Sequence, residues 1–197
     1  MFFSPFVSRR HFIIAGLATG AALTTPAFAA APEGWVLPEH YRPTIVRTRI
    51  TMNPGEIHVD PNRFALYLTL PDKKAIRYMV GIGRGNLYES GLFRVGAKKE
   101  WPSWTPTREM IVRSPEHYAQ YADGMPGGPS NPLGARALYL FDDRRGDTFL
   151  RIHGTPEPWT VGSAVSNGCV RLVNEHVTQL FDQVEIGAVV VLNPKVA

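Results

Sequence analysis

A histidine and the only cysteine of the chain are the residues whose types and spacing could do chemistry. His153 is followed by Gly154, and Cys169 comes sixteen positions after the histidine. A thiol reacts as its thiolate, and a nearby imidazole raises the thiolate fraction and can exchange protons with a reacting amine. The two residues are therefore a candidate nucleophile and general base for one site.

The competing interpretation is a buried structural cysteine that behaves as a small apolar residue. A single cysteine excludes an intramolecular disulfide, a cysteine-cluster metal site and an iron–sulfur centre. Gly154 and Gly168 allow close backbone approach beside the two reactive residues, as a pocket with amide donors requires. Glycines beside turns are common, so the residue types alone leave both interpretations open.

Arg171 lies two positions after Cys169, so both side chains face the same way if the segment is extended. A guanidinium in that place can bind a substrate carboxylate through two hydrogen bonds. The alternative is a structural ion pair with an acid such as Glu175.

This arrangement resembles the signature of the YkuD-type L,D-transpeptidases, which is His-Gly, then a spacer, then Ser-x-Gly-Cys-hydrophobic-Arg. Every fixed position of that signature is present here. Asn167 departs from the family pattern, because many relatives carry histidine there. Asparagine cannot shuttle protons at neutral pH, so the base must be His153. Other segments also look like family segments, and the similarity covers roughly Ile57 to Leu192; they are Tyr78 to Arg84, Trp101 to Pro106 and Gly127 to Leu138.

The resemblance implies a role for each residue of the motif. Cys169 would be the nucleophile and His153 its general base, with the Gly154 carbonyl orienting the imidazole. Backbone N–H groups around Gly168 and Cys169 could form an oxyanion hole, in which each donor contributes about 3 kcal/mol. The resemblance further implies a substrate-binding set made of Ser166, Asn167, Gly168 and Arg171.

The implied reaction is acyl transfer on peptidoglycan. Cys169 would attack the carbonyl before the terminal D-alanine of a stem tetrapeptide, and an amine of a second stem would resolve the thioester into a 3→3 cross-link. No cofactor is needed, because acyl exchange neither changes redox state nor consumes nucleotide. Two alternatives stay open: the same chemistry with an outer-membrane protein, a lipoprotein, a D-amino acid or water as acceptor, and a non-catalytic peptidoglycan-binding module.

The N-terminus predicts export to the periplasm. Arg9 and Arg10 precede an apolar run from Ala15 to Leu23, and Ala27-Phe28-Ala29 follows. Basic, apolar and small residues in that order are typical of a signal peptide, and paired arginines resemble the twin-arginine type. We expect cleavage after Ala29 and no stable membrane span, because the run is too short for a bilayer core of about 30 Å.

Charge and motif content exclude other function classes. The whole chain carries a formal charge of +4, and loss of Arg9 and Arg10 with no acid leaves +2. No Lys/Arg run tracks a phosphate backbone, so nucleic acid is not an expected partner. No Gly-x-Ser-x-Gly elbow indicates a serine hydrolase. Four other histidines lack metal-site spacing and are assigned to surface or core: His40, His58, His117 and His176.

The elements that must position this motif are mostly strands. We expect a signal peptide over 1–29, a proline- and alanine-rich leader over 30–43 and a catalytic domain over 44–197. Apolar runs predict strands at 57–60, 63–70, 75–80, 136–141, 148–153 and 188–192, and helices at 115–122 and 174–184, the latter capped by Asn174. The predicted fold is mainly β, an antiparallel β-sandwich or barrel-like sheet with one or two accessory helices.

Four aromatic residues are candidates for a groove wall, with plain core packing as the alternative: Trp101, Trp104, Tyr139 and Trp159. The loop over 155–163 joins the two motif segments and is a candidate lid or an ordinary surface loop.

Overall fold

A nine-stranded mixed sheet forms the centre of the molecule, as seen in a computed structural model that describes residues 31–196. The predicted signal peptide lies outside these residues. The elements are β1 (Thr44–Arg47), β2 (Ile57–Asp60), β3 (Ala65–Leu70), β4 (Lys74–Met79), β5 (Ile82–Gly83), β6 (Gly91–Glu100), α1 (Arg108–Arg113), α2 (Pro115–Tyr118), β7 (Arg136–Asp142), β8 (Gly146–His153), β9 (Ala164–Ser166), β10 (Val170–Arg171), α3 (Asn174–Gln183) and β11 (Val189–Leu192).

The sheet order is β1-β4-β3-β2-β11-β6-β7-β8-β10, and β5 pairs with β9 in a second, two-stranded sheet. The prediction of a mainly β fold with few helices is confirmed. The antiparallel, barrel-like description is wrong in part, because β11–β2, β10–β8 and β5–β9 are parallel pairs and the end strands β1 and β10 do not pair. Parallel pairing arises because β10 and β11 enter the sheet after long crossovers rather than tight hairpins.

Alternating apolar residues explain why these segments form strands around one core. In β2, Ile57 and Val59 are fully buried while the residues between and after them are partly exposed. Helix α3 packs against β7 and β8 and buries Val177 and Leu180 in the same core. Burial of a side chain of this size contributes about 1.5–3 kcal/mol. The edge that carries the cysteine motif is therefore supported by a helix on one face.

The helices differ from the prediction at their ends. Residues 115–121 form α2 followed by a 3₁₀ turn, and α1 directly before them was not predicted. The expected N-cap of α3 is wrong, since Val173 occupies that position and Asn174 is the first helical residue. The Asn174 Oδ1 atom instead accepts a hydrogen bond from the Ala135 N–H at 2.9 Å. This side chain holds the segment before β7 against the helix.

The proline- and alanine-rich leader packs on the domain over its described part. The Trp35 ring lies edge-on to Trp159 with centroids 6.3 Å apart, and the Tyr41 hydroxyl donates to the Val161 carbonyl at 3.3 Å. The leader therefore touches the loop over 155–163, between the histidine and the cysteine. Within residues 31–196, no helix is long and apolar enough to cross a membrane.

Candidate active site

Strands β8 and β10 bring the two halves of the sequence motif together. They pair in parallel, with Val170 opposite Ile152 and Arg171 opposite His153. Cys169 directly precedes β10, so continuing the register places it beside Arg151 of β8. Arg151 and His153 are two residues apart in β8 and share one face of that strand. Paired strands lie about 4.8 Å apart and alternate side chains share a face, so thiol and imidazole emerge on the same side of the sheet.

Both reactive residues line one cavity of about 960 Å³. The opposite wall comes from the insertion between β6 and β7, residues 101–135, which contains α1 and α2. A backbone bridge between Trp104 and Met125 closes the base of this insertion, with N···O distances of 2.9 and 2.6 Å. The motif therefore opens into a cleft large enough for a ligand of substantial size.

The His153 imidazole is buried and bound by the backbone. Its Nδ1 lies 2.5 Å from the Gly154 carbonyl oxygen, the contact that the sequence resemblance implied. Burial, followed by the Arg171 charge, lowers the pKa of His153 to about 3, although the carbonyls of Gly154 and Leu133 act in the opposite direction. The ring is neutral at pH 7, and because a carbonyl oxygen only accepts, Nδ1 carries the proton.

Gly154 has no room for a side chain. A Cβ there would collide with Asn174 Oδ1 and lie 3.1 Å from Val177 Cγ1. The backbone beside the imidazole is therefore held directly against α3, and the expected close approach at this glycine is confirmed.

Cys169 is half-buried at the floor of the cleft. Its Sγ lies 3.9 Å from the Phe149 carbonyl oxygen. Desolvation raises the pKa of the thiol, while the Arg151 backbone N–H and the charges of Arg151 and Arg171 lower it. The resting pair is therefore a neutral thiol beside a neutral imidazole.

Ser166 shapes the turn that carries the thiol. Its hydroxyl donates to the Cys169 carbonyl at 2.6 Å and accepts the Gly168 N–H at 3.2 Å. Gly168 has φ +125°, a left-handed conformation that favours glycine. One of the two amides predicted to hold an oxyanion is thus engaged by Ser166 in this conformation.

Arg171 is partly buried in the lining of the same cavity. Its Nη1 lies 3.7 Å from Glu157 Oε2, so the acid beside it is Glu157 rather than Glu175. Its Nε is buried without a hydrogen-bond partner within the described chain, and burial lowers the pKa of the guanidinium. A buried donor without a partner is costly, and an incoming carboxylate oxygen would satisfy it.

Asn167 connects the cysteine loop to the insertion. Its Oδ1 accepts from Arg113 Nη2 and its Nδ2 donates to the Tyr118 hydroxyl oxygen, both at 2.7 Å. Both ends of the amide are therefore bound to the wall that faces Cys169.

The sequence reasoning missed the segment before the histidine. Arg151 is buried, and its Nη1 and Nη2 donate to Asp147 at 2.7 and 2.9 Å, while its guanidinium lies 4.0 Å from the centroid of the Tyr139 ring. An ion pair between residues four apart in one strand matches no regular strand pattern, but an arginine between Leu150 and Ile152, directly before the motif, was a usable signal.

The four candidate wall aromatics divide into two pairs. Trp104 and Tyr139 line the cavity. Trp101 is 45% exposed outside the cavity lining, and Trp159 packs on Trp35. From the loop over 155–163, Glu157 and Thr160 reach the cavity.

Several observations on this site agree with one protein family. The model of the YkuD L,D-transpeptidase catalytic domain matches residues 54–192, and the chain belongs to that family. Among relatives, the chain is 32% identical over 163 residues to the probable L,D-transpeptidase ErfK/SrfK of Escherichia coli K12. That alignment covers 79% of this chain and 46% of the relative, so the chain spans about half of that protein's length.

Solved structures give the same fold. A structure from Brucella melitensis, described as a probable carnitine operon oxidoreductase, is 45% identical, with a TM-score of 0.54, and covers 82% of this chain and 96% of its own. An Enterococcus faecium L,D-transpeptidase has a TM-score of 0.51 at 16% identity, over 72% of this chain and 50% of that one. The second likeness concerns the fold alone, and the oxidoreductase description is of the Brucella protein.

Proposed function

We propose that this chain is an L,D-transpeptidase that acts on peptidoglycan stem peptides through a thioester on Cys169. The observation that carries the proposal is the parallel register of β8 and β10, which presents Cys169 and His153 on one face at one cavity. The family match supports the reaction class.

The first half-reaction follows from the protonation states. In the neutral ring of His153 the nitrogen that does not face Gly154 carries the lone pair, so it can accept the thiol proton as sulfur attacks. The C–N bond to the terminal D-alanine then breaks, the amine leaves with the proton held by the imidazole, and a thioester remains. Proton transfer during attack suits a pair that is neutral at rest.

The second half-reaction uses an amine acceptor. The amine attacks the thioester carbonyl, its proton passes to His153, and the thiol is regenerated as the new amide forms. Arg171 would bind a carboxylate of the stem peptide, which explains a partly buried guanidinium whose nearest acid is 3.7 Å away. A second stem gives a 3→3 cross-link, and an outer-membrane protein or lipoprotein amine is an alternative acceptor of the same chemistry.

We further propose that the protein works in the periplasm after export by the twin-arginine route. The support is the order of paired arginines, apolar run and small residues that ends at Ala29. Mature protein that begins at Ala30 in a periplasmic fraction is the expected result, and N-terminal sequencing measures it. An unprocessed protein in the cytoplasm contradicts the proposal.

The test of the reaction is muropeptide analysis of purified protein with disaccharide-tetrapeptides. The wild type is expected to release D-alanine, form dimers and show a thioester mass on Cys169. Cys169→Ala is expected to lose all three while it keeps the wild-type melting temperature. A matched control, Ser163→Ala, removes a hydroxyl that binds only the Thr160 carbonyl and is expected to keep activity.

Binding without turnover, with no adduct on Cys169 after carbapenem treatment, would instead support a peptidoglycan-binding module. Turnover by Cys169→Ala would refute the thioester.

A further inference from the structure

Phe149 is a residue beside the candidate nucleophile that combines a left-handed backbone with a side chain outside the core. Its φ is +61°, a left-handed value that a bulky residue rarely adopts, and its side chain is 69% exposed. The residue lines the same cavity as Cys169, and its own carbonyl oxygen is the group 3.9 Å from the sulfur.

A bulge in β8 creates this conformation. Between the pairs Tyr139–Arg151 and Phe141–Asp147 the chain advances two residues in β7 and four in β8, so β8 holds two extra residues. Asp147 Oδ1 accepts the Phe149 N–H at 2.9 Å and also binds the Arg151 guanidinium. The left-handed backbone is therefore maintained by a partly exposed ion pair between Asp147 and Arg151.

Neither core packing nor the backbone conformation requires a phenylalanine at this position. Within the described residues the ring lies outside the core, with the Arg151 guanidinium 5.9 Å from its centroid, and glycine would take the same φ without strain. The same strand does use glycine where it needs such a conformation, since Gly146 has φ +68°. Strained residues cluster at ligand-binding sites, and an aromatic ring in the lining of this cavity offers a large apolar surface to a ligand.

We propose that Phe149 is a specificity-determining residue whose ring contacts the non-polar part of the acyl donor. The donor is favoured over the acceptor because the acyl group of the donor becomes attached to the Cys169 sulfur. The ring belongs to the same residue as the carbonyl oxygen that lies 3.9 Å from that sulfur. The inference rests on the proposed function and adds the residue that selects the donor.

The experiment compares Phe149→Gly and Phe149→Tyr with the wild type in D-alanine release from a disaccharide-tetrapeptide. In the glycine variant we expect KM to rise about fivefold to tenfold with a smaller change in kcat, because a contact made before and during reaction is lost. The tyrosine variant keeps the ring and is expected to stay near the wild-type KM.

Two controls distinguish the loss of a ring–substrate contact from a change in the fold or in the thiol. Phe149→Gly is expected to melt at or above the wild-type temperature and to leave iodoacetamide labelling of Cys169 within about twofold. Lys73→Gly relieves the same backbone conformation, φ +54°, at an exposed turn outside the cavity and is expected to leave KM unchanged.

An unchanged KM in Phe149→Gly overturns the inference. A rise in KM also overturns it if iodoacetamide labelling of Cys169 slows by the same factor, because the thiol itself would then have changed. If the wild type itself is inactive, the proposed function fails and this inference with it. An active wild type with an equally active Phe149→Gly removes this inference alone.

Discussion

The two walls of the cleft are built in different ways. The wall of β8 and β10 consists of paired strands backed by α3, and His153 is buried in it. The opposite wall is the insertion over 101–135, whose two helices have no fully buried residue. Asn167 joins the walls by accepting one hydrogen bond and donating another. The candidate nucleophile and base therefore lie on a wall backed by the core, whereas the facing helices are held by partly exposed aromatic and polar contacts.

The largest expected difference between the walls comes from adding one methyl group to a glycine of each wall in turn. Gly154→Ala would push against Asn174 and Val177, so we expect a loss of about 1–3 kcal/mol of unfolding free energy. Displacement of His153 would lower kcat/KM by about 100-fold or more. Gly128→Ala in the insertion meets nothing within 4 Å and should change neither quantity. Urea denaturation and D-alanine release measure both, and equal effects at the two glycines contradict the comparison.

Burial in the strand wall also predicts how Cys169 titrates. Its pKa is raised by desolvation, so the thiolate fraction keeps rising above neutral pH. The rate of alkylation by iodoacetamide should therefore increase about tenfold per unit between about pH 6 and pH 8. Protein unfolded in urea, where the thiol titrates normally, is the reference. A rate that stays flat from acidic to neutral pH would mean a preformed thiolate–imidazolium pair and would contradict the neutral resting state.

The smallest expected effect is at the contact between the walls. Tyr118→Phe removes one of the hydrogen bonds of Asn167, and Asn167→Ala removes both. Tyr118→Phe should raise KM by about twofold to tenfold, as expected for about 0.5–1.5 kcal/mol per bond, and Asn167→Ala should raise it further because two bonds are lost. In the double variant the two effects should not add, because they share one interaction. Fully additive changes would show that Asn167 and Tyr118 act separately.

Sequence reasoning selected two candidate residues, Cys169 and His153, that line one cavity, because their chemistry is rare and each lies in a short local motif. It also placed α3, whose apolar face repeats with a helical period. It missed β6, where Gly91 and Gly96 interrupt the strand pattern. Gly96 is needed because the Phe141 ring of the neighbouring strand occupies the place of a side chain. That requirement joins residues far apart in the chain and leaves no local pattern.

The same limit explains the errors at single residues. Asn174 is a residue type that favours helix N-caps, but its side chain accepts a hydrogen bond from the Ala135 N–H, thirty-nine positions away. The alternative interpretation of Arg171 paired it with an acid such as Glu175 in the following helix, and the acid beside it lies in the preceding loop. Partners of polar side chains depend on the register of β8 and β10, which the sequence does not specify by itself.

The packed leader has a practical consequence for where the chain can be shortened. The family match begins at residue 54, after Trp35, Tyr41 and the whole of β1. Trimming to that boundary would strip β4 of the neighbour it pairs with from Thr44 to Arg47 and leave a bare strand edge open to self-association. It would also remove the two aromatic contacts on the loop between imidazole and thiol, so recombinant versions should retain the residues from 31 onward.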